Sequence, residues 1–426
     1  MAVVDKNLFQ DPQAQLQGKG LGRFESSRSA ADVAAAGWSI LAEDVSLPVA
    51  VLALPALQHN LAWMREFAAA YGCLLAPHGK TTMSPALFQA QREAGAWGIT
   101  LATAPQVEAA FEHGQRRILM ANQLVGRRNL DLIADLQARD EDFWFACLVD
   151  SASNVDALGR QFAARGQRVR VLLEVGVSGG RTGVRDVAQA DAVLEAIARW
   201  PQSVALVGVE TYEGVLKDED GIRQLLRQTV AQWRAIAADG GFAETPALLS
   251  GAGSAWFDVV AEEFAACARE DGACVVLRPG CYLTHDIGAY QAASVRMQAG
   301  NPVAHRMATQ LRPALKLWAY VQSRPEPERV IVGLGKRDAA FDAGFPQPDL
   351  HHRPGDAAPA AAAVHWQVTA MMDQHAFLQV RAEDDLQVGD LISFDIAHPC
   401  LTFDKWRHLL LVDAHQHVIG AVTTHF

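Results

Sequence analysis

The 426-residue chain reads as an α/β protein, a (β/α)8 TIM-like barrel followed by a C-terminal all-β domain. Three observations carry that reading. Short apolar runs recur with amphipathic stretches between them, the rhythm of βα units feeding a parallel sheet. Eight such runs follow one another, which suits a closed barrel better than an open doubly wound sheet. After about residue 300 the apolar runs continue without helices between them. The expected organisation is an N-terminal arm over 1–45 that packs with the β domain, a barrel over 46–300 and a β domain over 301–426.

The elements follow in order. Residues 1–45 show no clear period, and Ala30–Ala36 is a weak helical stretch. Val49–Leu54 reads as a strand, and Pro55 at a first-turn position opens a helix through Tyr71. Barrel strands are expected at 73–76, 98–102, 117–121, 143–149, 169–175, 204–209, 247–250 and 273–278. The β domain should use Leu315–Ser323, Val330–Val332, Val364–Ala370, Ala376–Val380, Asp390–Phe394, His408–Val412 and Val418–Thr423. Two loops should interrupt it: Gly344–Pro354, with three prolines and paired histidines, and the alanine-rich Asp356–Ala363.

Composition narrows the function. Half of the residues are apolar, enough for a large core. Lysine and arginine number 37 against 48 acidic residues, a formal charge of -11, which argues against general affinity for nucleic acid or anionic membrane. A local pocket can still take an anion. No signal-peptide pattern opens the sequence, and no run of about 18 uncharged apolar residues occurs. The six cysteines are scattered without a C-x-x-C pair, so a reduced, cytoplasmic setting is expected.

Leu74-Leu75-Ala76-Pro77-His78-Gly79-Lys80-Thr81-Thr82-Met83-Ser84-Pro85 is the most informative stretch. A strand ends at Pro77. Ser84 and Pro85 form a helix start, with Glu93 and Gly95 as its end and stop. Lys80 therefore lies at the strand's C-terminal end, where barrels place their chemistry. A lysine beside a glycine has room for a ligand at its amine, as a Schiff-base lysine requires. An ordinary loop lysine would look the same.

Other loops hold candidates of the same kind. Glu174–Gly183 follows a strand with three glycines before Arg181 and suits a tight loop at the barrel mouth. Tyr212 ends the next strand, where a ligand contact and a structural tyrosine both fit. Ser250-Gly251-Ala252-Gly253-Ser254 precedes a helix, and small residues there expose N–H groups that can cradle phosphate. Arg278-Pro279-Gly280-Cys281-Tyr282 closes the last barrel strand, with Cys281 read as filler. Late in the β domain, Phe394–Phe403 reads as extended, so His398 and Cys400 would share a face. Imidazole and sulfur together suit zinc. A turn histidine beside a buried cysteine is the other reading.

Pro77-His78-Gly79-Lys80-Thr81 resembles the P-H-x-K-T motif of the D-serine dehydratase and D-threonine aldolase family. These are fold-type III pyridoxal 5'-phosphate (PLP) enzymes, related in barrel architecture to alanine racemase. The resemblance spans roughly residues 47–426 and departs from the pattern at Thr82-Met83, where many relatives have His-Lys. It implies that Lys80 carries PLP and that His78 lies among the cofactor contacts. Arg181 would sit near the phenolic oxygen and Tyr212 near the pyridine ring, with Gly253, Ser254 and Tyr282 at the phosphate. In the dehydratases of this family a His-x-Cys pair holds zinc, whereas the aldolases use His-x-Asp. His398 and Cys400 match the former.

The activity so implied is a PLP- and Zn2+-dependent lyase that converts D-serine, or a related β-hydroxy D-amino acid, to a keto acid and ammonia. Lys80 would act as base for the α-proton and zinc as Lewis acid on the β-oxygen. The alternatives are a metal-dependent D-threonine aldolase, an amino-acid racemase and a non-catalytic PLP-binding barrel. Relatives dimerise, so a homodimer acting on a small molecule, without nucleic acid or membrane, is expected.

Overall fold

The computed structural model describes residues 15–23, 29–253 and 255–426. Ser254 and parts of the expected arm (1–14 and 24–28) lie outside the described residues. The chain divides into two compact units. One comprises Met64–Lys80 and Gly95–Gly280; the other comprises Met1–Trp63, Thr81–Ala94 and Cys281–Phe426.

The first unit is built on eight parallel strands: Leu74–Leu75, Ile99–Leu101, Arg117–Gln123, Trp144–Val149, Val169–Val175, Val204–Thr211, Leu248–Gly251 and Cys274–Leu277. Each strand from 99 onward pairs with the next, and the last pairs with the first. A parallel bridge between His78 and Thr100 joins the ends of this curled sheet. Its strands are nearly continuous apolar runs because both faces are covered; every residue of Val204–Thr211 is buried. Leu119, Leu148, Leu172, Val207 and Val276 meet in one interior cluster. Four of the helices start on side-chain caps, with Thr103, Ser151, Asp186 and Asp218 each accepting from a backbone N–H in the first turn.

The second unit centres on a ten-stranded sheet. Val49–Ala53 belongs to it, antiparallel to Leu315–Glu326 and parallel to His408–Val412. The expected barrel span of 46–300 had placed this strand with the barrel. Val49, Val51, Trp318, Leu391 and Leu410 form a core with Val33, Trp38 and Ile40. Ala30–Ala35 is a helix, fixed by a capping box between Ser29 and Asp32.

Three local readings change. Gln347–His352, expected in a loop, is a strand paired with Leu391–Asp395. Its register shifts between Pro348 and Leu350, and a bulge is where a sheet tolerates proline. Phe394–Phe403 is not extended throughout: the strand stops at Asp395, and Pro399–Phe403 is a short helix with His398 as N-cap. Pro85–Glu93 is the expected helix, followed by Gly95 at φ 105, but Ser84 makes no side-chain cap bond.

Candidate cofactor and metal sites

In the barrel unit, the chain leaves its first strand at Leu75 and turns at Gly79–Thr81, a single 3-10 turn that presents Lys80 at the surface. His78, two residues before Lys80, is buried. Its Nδ1 has no hydrogen-bond partner among the described residues. Burial holds the imidazole well below its ordinary pKa, and the positive charges of Lys80, Arg278 and Arg181 press it further down. A neutral histidine thus stands amid three cations at the strand C-termini.

Arg181 and Tyr212 meet directly, with the guanidinium 4.2 Å from the ring centroid. Tyr212 follows its strand and leads into the Glu213–Val215 turn. Gly253 packs so close that a Cβ there would stand 2.8 Å from the Tyr212 ring. Ala252 precedes it at φ 67, and its N–H donates to Glu213 at 3.1 Å. Backbone, aromatic ring and guanidinium are therefore tied together at the mouth of the barrel.

A buried charge network lies among these strand ends. Arg278 is ion-paired with Glu210 and donates to Ser250 Oγ at 3.0 Å and to the Thr211 carbonyl at 3.2 Å. Burial pushes the Glu210 carboxyl up to about 8 against the pull of Arg278. Glu174 accepts from Thr182 Oγ1 at 2.6 Å. The glycine-rich loop is held from within: Arg185 donates to the carbonyls of Thr182, Gly183 and Gly180, and Asp150 accepts from Gly183 N–H at 3.0 Å. Sequence reasoning missed Glu210, Arg185 and the role of Arg278. A strand-borne Glu and an Arg just past the strand two places further along were the available signal for that ion pair.

These residues fit a planar anionic cofactor. Three cations offset negative charge, and a buried histidine nitrogen has no partner among the described residues. Tyr282 belongs to the other unit, where it is buried and its hydroxyl accepts from Gln91 Nε2 at 3.2 Å.

In the β unit, His398 and Cys400 are brought together by the helix start rather than by an extended strand. His398 Nδ1 lies 2.8 Å from Asp342 Oδ2, and the imidazole is close enough to Cys400 for the two groups to shift each other's titration. Cys400 Sγ also lies 3.5 Å from Cys281 Sγ and 3.3 Å from Thr81 Oγ1. Hydrogen bonds from Cys281, then His398 and Thr81, pull the Cys400 thiol down to about 4, and the bond to Cys400 raises His398 to about 9. Cys281, expected to be filler, is thus a neighbour of the candidate ligand. Thr81 and Asp342 were not singled out in the sequence, for they reach the pair from distant positions.

The donor set fits a borderline-soft divalent ion: a thiol poised as thiolate, and an imidazole whose second nitrogen is steered by a carboxylate. Among the described residues, no group of three or more His, Cys, Asp or Glu side chains is assembled to hold a metal. No described helix is long and apolar enough to cross a membrane.

Comparison with known proteins bears on both units. Residues 52–285 match the family model for the N-terminal domain of alanine racemase, and residues 314–412 match a putative serine dehydratase domain. A D-threonine aldolase from Arthrobacter sp. is 27% identical over 356 residues, covering 82% of this chain and 83% of that protein. A D-threo-3-hydroxyaspartate dehydratase from Delftia sp. is 35% identical over 137 residues, 32% of this chain and 35% of its own length. The crystal structure of D-threonine aldolase from Filomicrobium marinum has the same fold, with a TM-score of 0.73 at 24% identity over 91% of this chain and 97% of that one. A cysteine-to-alanine variant of the D-threo-3-hydroxyaspartate dehydratase, solved in a metal-free form, aligns at TM-score 0.71 and 24% identity over 91% and 99% of the two chains.

Proposed function

Because this chain belongs to the alanine racemase N-terminal domain family, whose fold-type III barrel is built for PLP, we propose that it is a lyase of β-hydroxy D-amino acids. Its reaction would be the PLP- and zinc-dependent dehydration of D-serine or a close analogue to a keto acid and ammonia. The observation that carries the choice is the sulfur at Cys400, beside a histidine that Asp342 orients.

Each residue has a role in this proposal. Lys80 would hold the cofactor through its amine, and its Nζ would take the α-proton. PLP supplies an electron sink for the charge left at that carbon. Arg181 and Arg278 balance negative charge, and His78, kept neutral by burial, offers a hydrogen bond without adding another cation. Tyr212 and Gly253 shape the approach to the ring; Ser254 and Tyr282 are proposed for the phosphate. His398 and Cys400 would hold the divalent ion, whose chemistry there is polarisation of an oxygen. Replacing either one should lower bound zinc and pyruvate formation from D-serine together. Unchanged turnover in both variants would remove the metal from the proposal.

A second reading has its own support. The 27% identity to a D-threonine aldolase extends over 82% of the chain, so carbon–carbon cleavage to glycine and an aldehyde is the competing outcome. The arm over 1–45, the barrel over 46–300 without the Val49–Ala53 strand, the β domain over 301–426, a homodimer and a cytoplasmic setting complete the proposal.

A further inference from the structure

We propose that Cys281 and Cys400 form a redox-responsive dithiol, which closes to a disulfide under peroxide and reopens with a thiol reductant. The two sulfurs lie 3.5 Å apart, so a bond requires them to close by about 1.5 Å. Cys281 opens the Cys281–Leu283 turn, and Cys400 sits in the first turn of the Pro399–Phe403 helix. Both residues are partly exposed, as is Cys274, whereas Cys73, Cys147 and Cys267 are buried. A small oxidant therefore has access to this pair.

The step balances with one peroxide. The Cys400 sulfur attacks the O–O bond, becomes a sulfenic acid and releases one water after proton transfer. The Cys281 sulfur then attacks Cys400 Sγ; the S–O bond breaks, a second water leaves and the S–S bond forms. Two thiols lose two electrons and two protons, and peroxide is reduced to two waters. A dithiol reductant reverses the bond by exchange. The functional consequence rests on the reading of Cys400 as a metal ligand: a disulfide sulfur cannot serve as thiolate, so oxidation would release the metal.

The test is peroxide treatment of the PLP- and zinc-loaded full chain, followed by thiol blocking, non-reducing peptide mapping by mass spectrometry and measurement of released zinc. A peptide pair joined through Cys281 and Cys400, lighter by two hydrogens, should form and vanish on treatment with dithiothreitol. In Cys281→Ser it should be absent, and Cys400 should instead trap a sulfenic-acid reagent. Zinc should appear in proportion to the cross-link. Oxidation of Cys400 without cross-linking to Cys281 in the unsubstituted protein, or cross-linking of other cysteines instead, would overturn the proposal. Cross-linking with zinc fully retained would uphold the dithiol and refute Cys400 as a ligand, which separates the two failures.

Discussion

One sulfur, Cys400, collects contacts from Thr81, Cys281 and His398, the first of them 319 positions away in sequence. The His-x-Cys spacing was legible because both members sit in one short segment. Their neighbours were not, since only the tertiary fold brings them in. Asp342 is the most direct test at this scale. Its hydrogen bond should fix the His398 ring, so Asp342→Ala is expected to weaken zinc binding by roughly 10–100-fold in a competition titration. Unchanged affinity would leave Asp342 without that role. At Gly253 the expected phosphate loop was visible in its small residues, but the reason for glycine was not: the Tyr212 ring fills the space a Cβ would need. Lys80→Ala should abolish the yellow absorption at about 410–430 nm expected of lysine-bound PLP, and survival of that band would place the cofactor elsewhere.

Elements were legible where burial is two-sided. The eight parallel strands announce themselves as apolar runs, and all eight occur close to their expected positions. Gln347–His352 hid because its prolines and histidines resemble a loop; the bulge at Pro348 removes the conflict with the sheet. The Pro399–Phe403 helix could have been read, since proline at a first-turn position is a helix-start signal. Period-two reasoning instead placed His398 and Cys400 on one extended face. The Arg278–Glu210 pair ties together two barrel strand ends across the intervening Leu248–Gly251 strand. Arg278→Met should destabilise the fold by about 1–3 kcal/mol, because it leaves the buried Glu210 carboxyl and the Thr211 carbonyl without the donor they share. Adding Glu210→Leu should recover much of that loss in chemical denaturation; no recovery would mean that the two act separately.

At the scale of the whole molecule, buried histidines set an acid limit on stability, His285 and His408 alongside His78. Burial holds His285 and His408 near about 4, well below the ordinary value of 6.5. Between those pH values the unfolded chain binds protons that the folded one refuses, so stability is full above about 6.5 and falls as pH drops toward 4. Denaturant midpoints across that range should fall more gently in His408→Gln than in the unsubstituted protein, after allowance for the variant's lower starting stability. The sequence set out the fold class and the location of both candidate sites, while the charge network that supports them emerges only once the strands are in register. The central claim concerns which bond breaks, and product analysis reads it directly. D- and L-serine, D- and L-threonine and β-hydroxyaspartate should each be incubated with the PLP-loaded protein, with zinc present and after its chelation. The account predicts pyruvate and ammonia from D-serine, lost on chelation and restored by zinc, with L-serine inert. Glycine and acetaldehyde from D-threonine without any keto acid, or pyruvate formation indifferent to chelation, would contradict it.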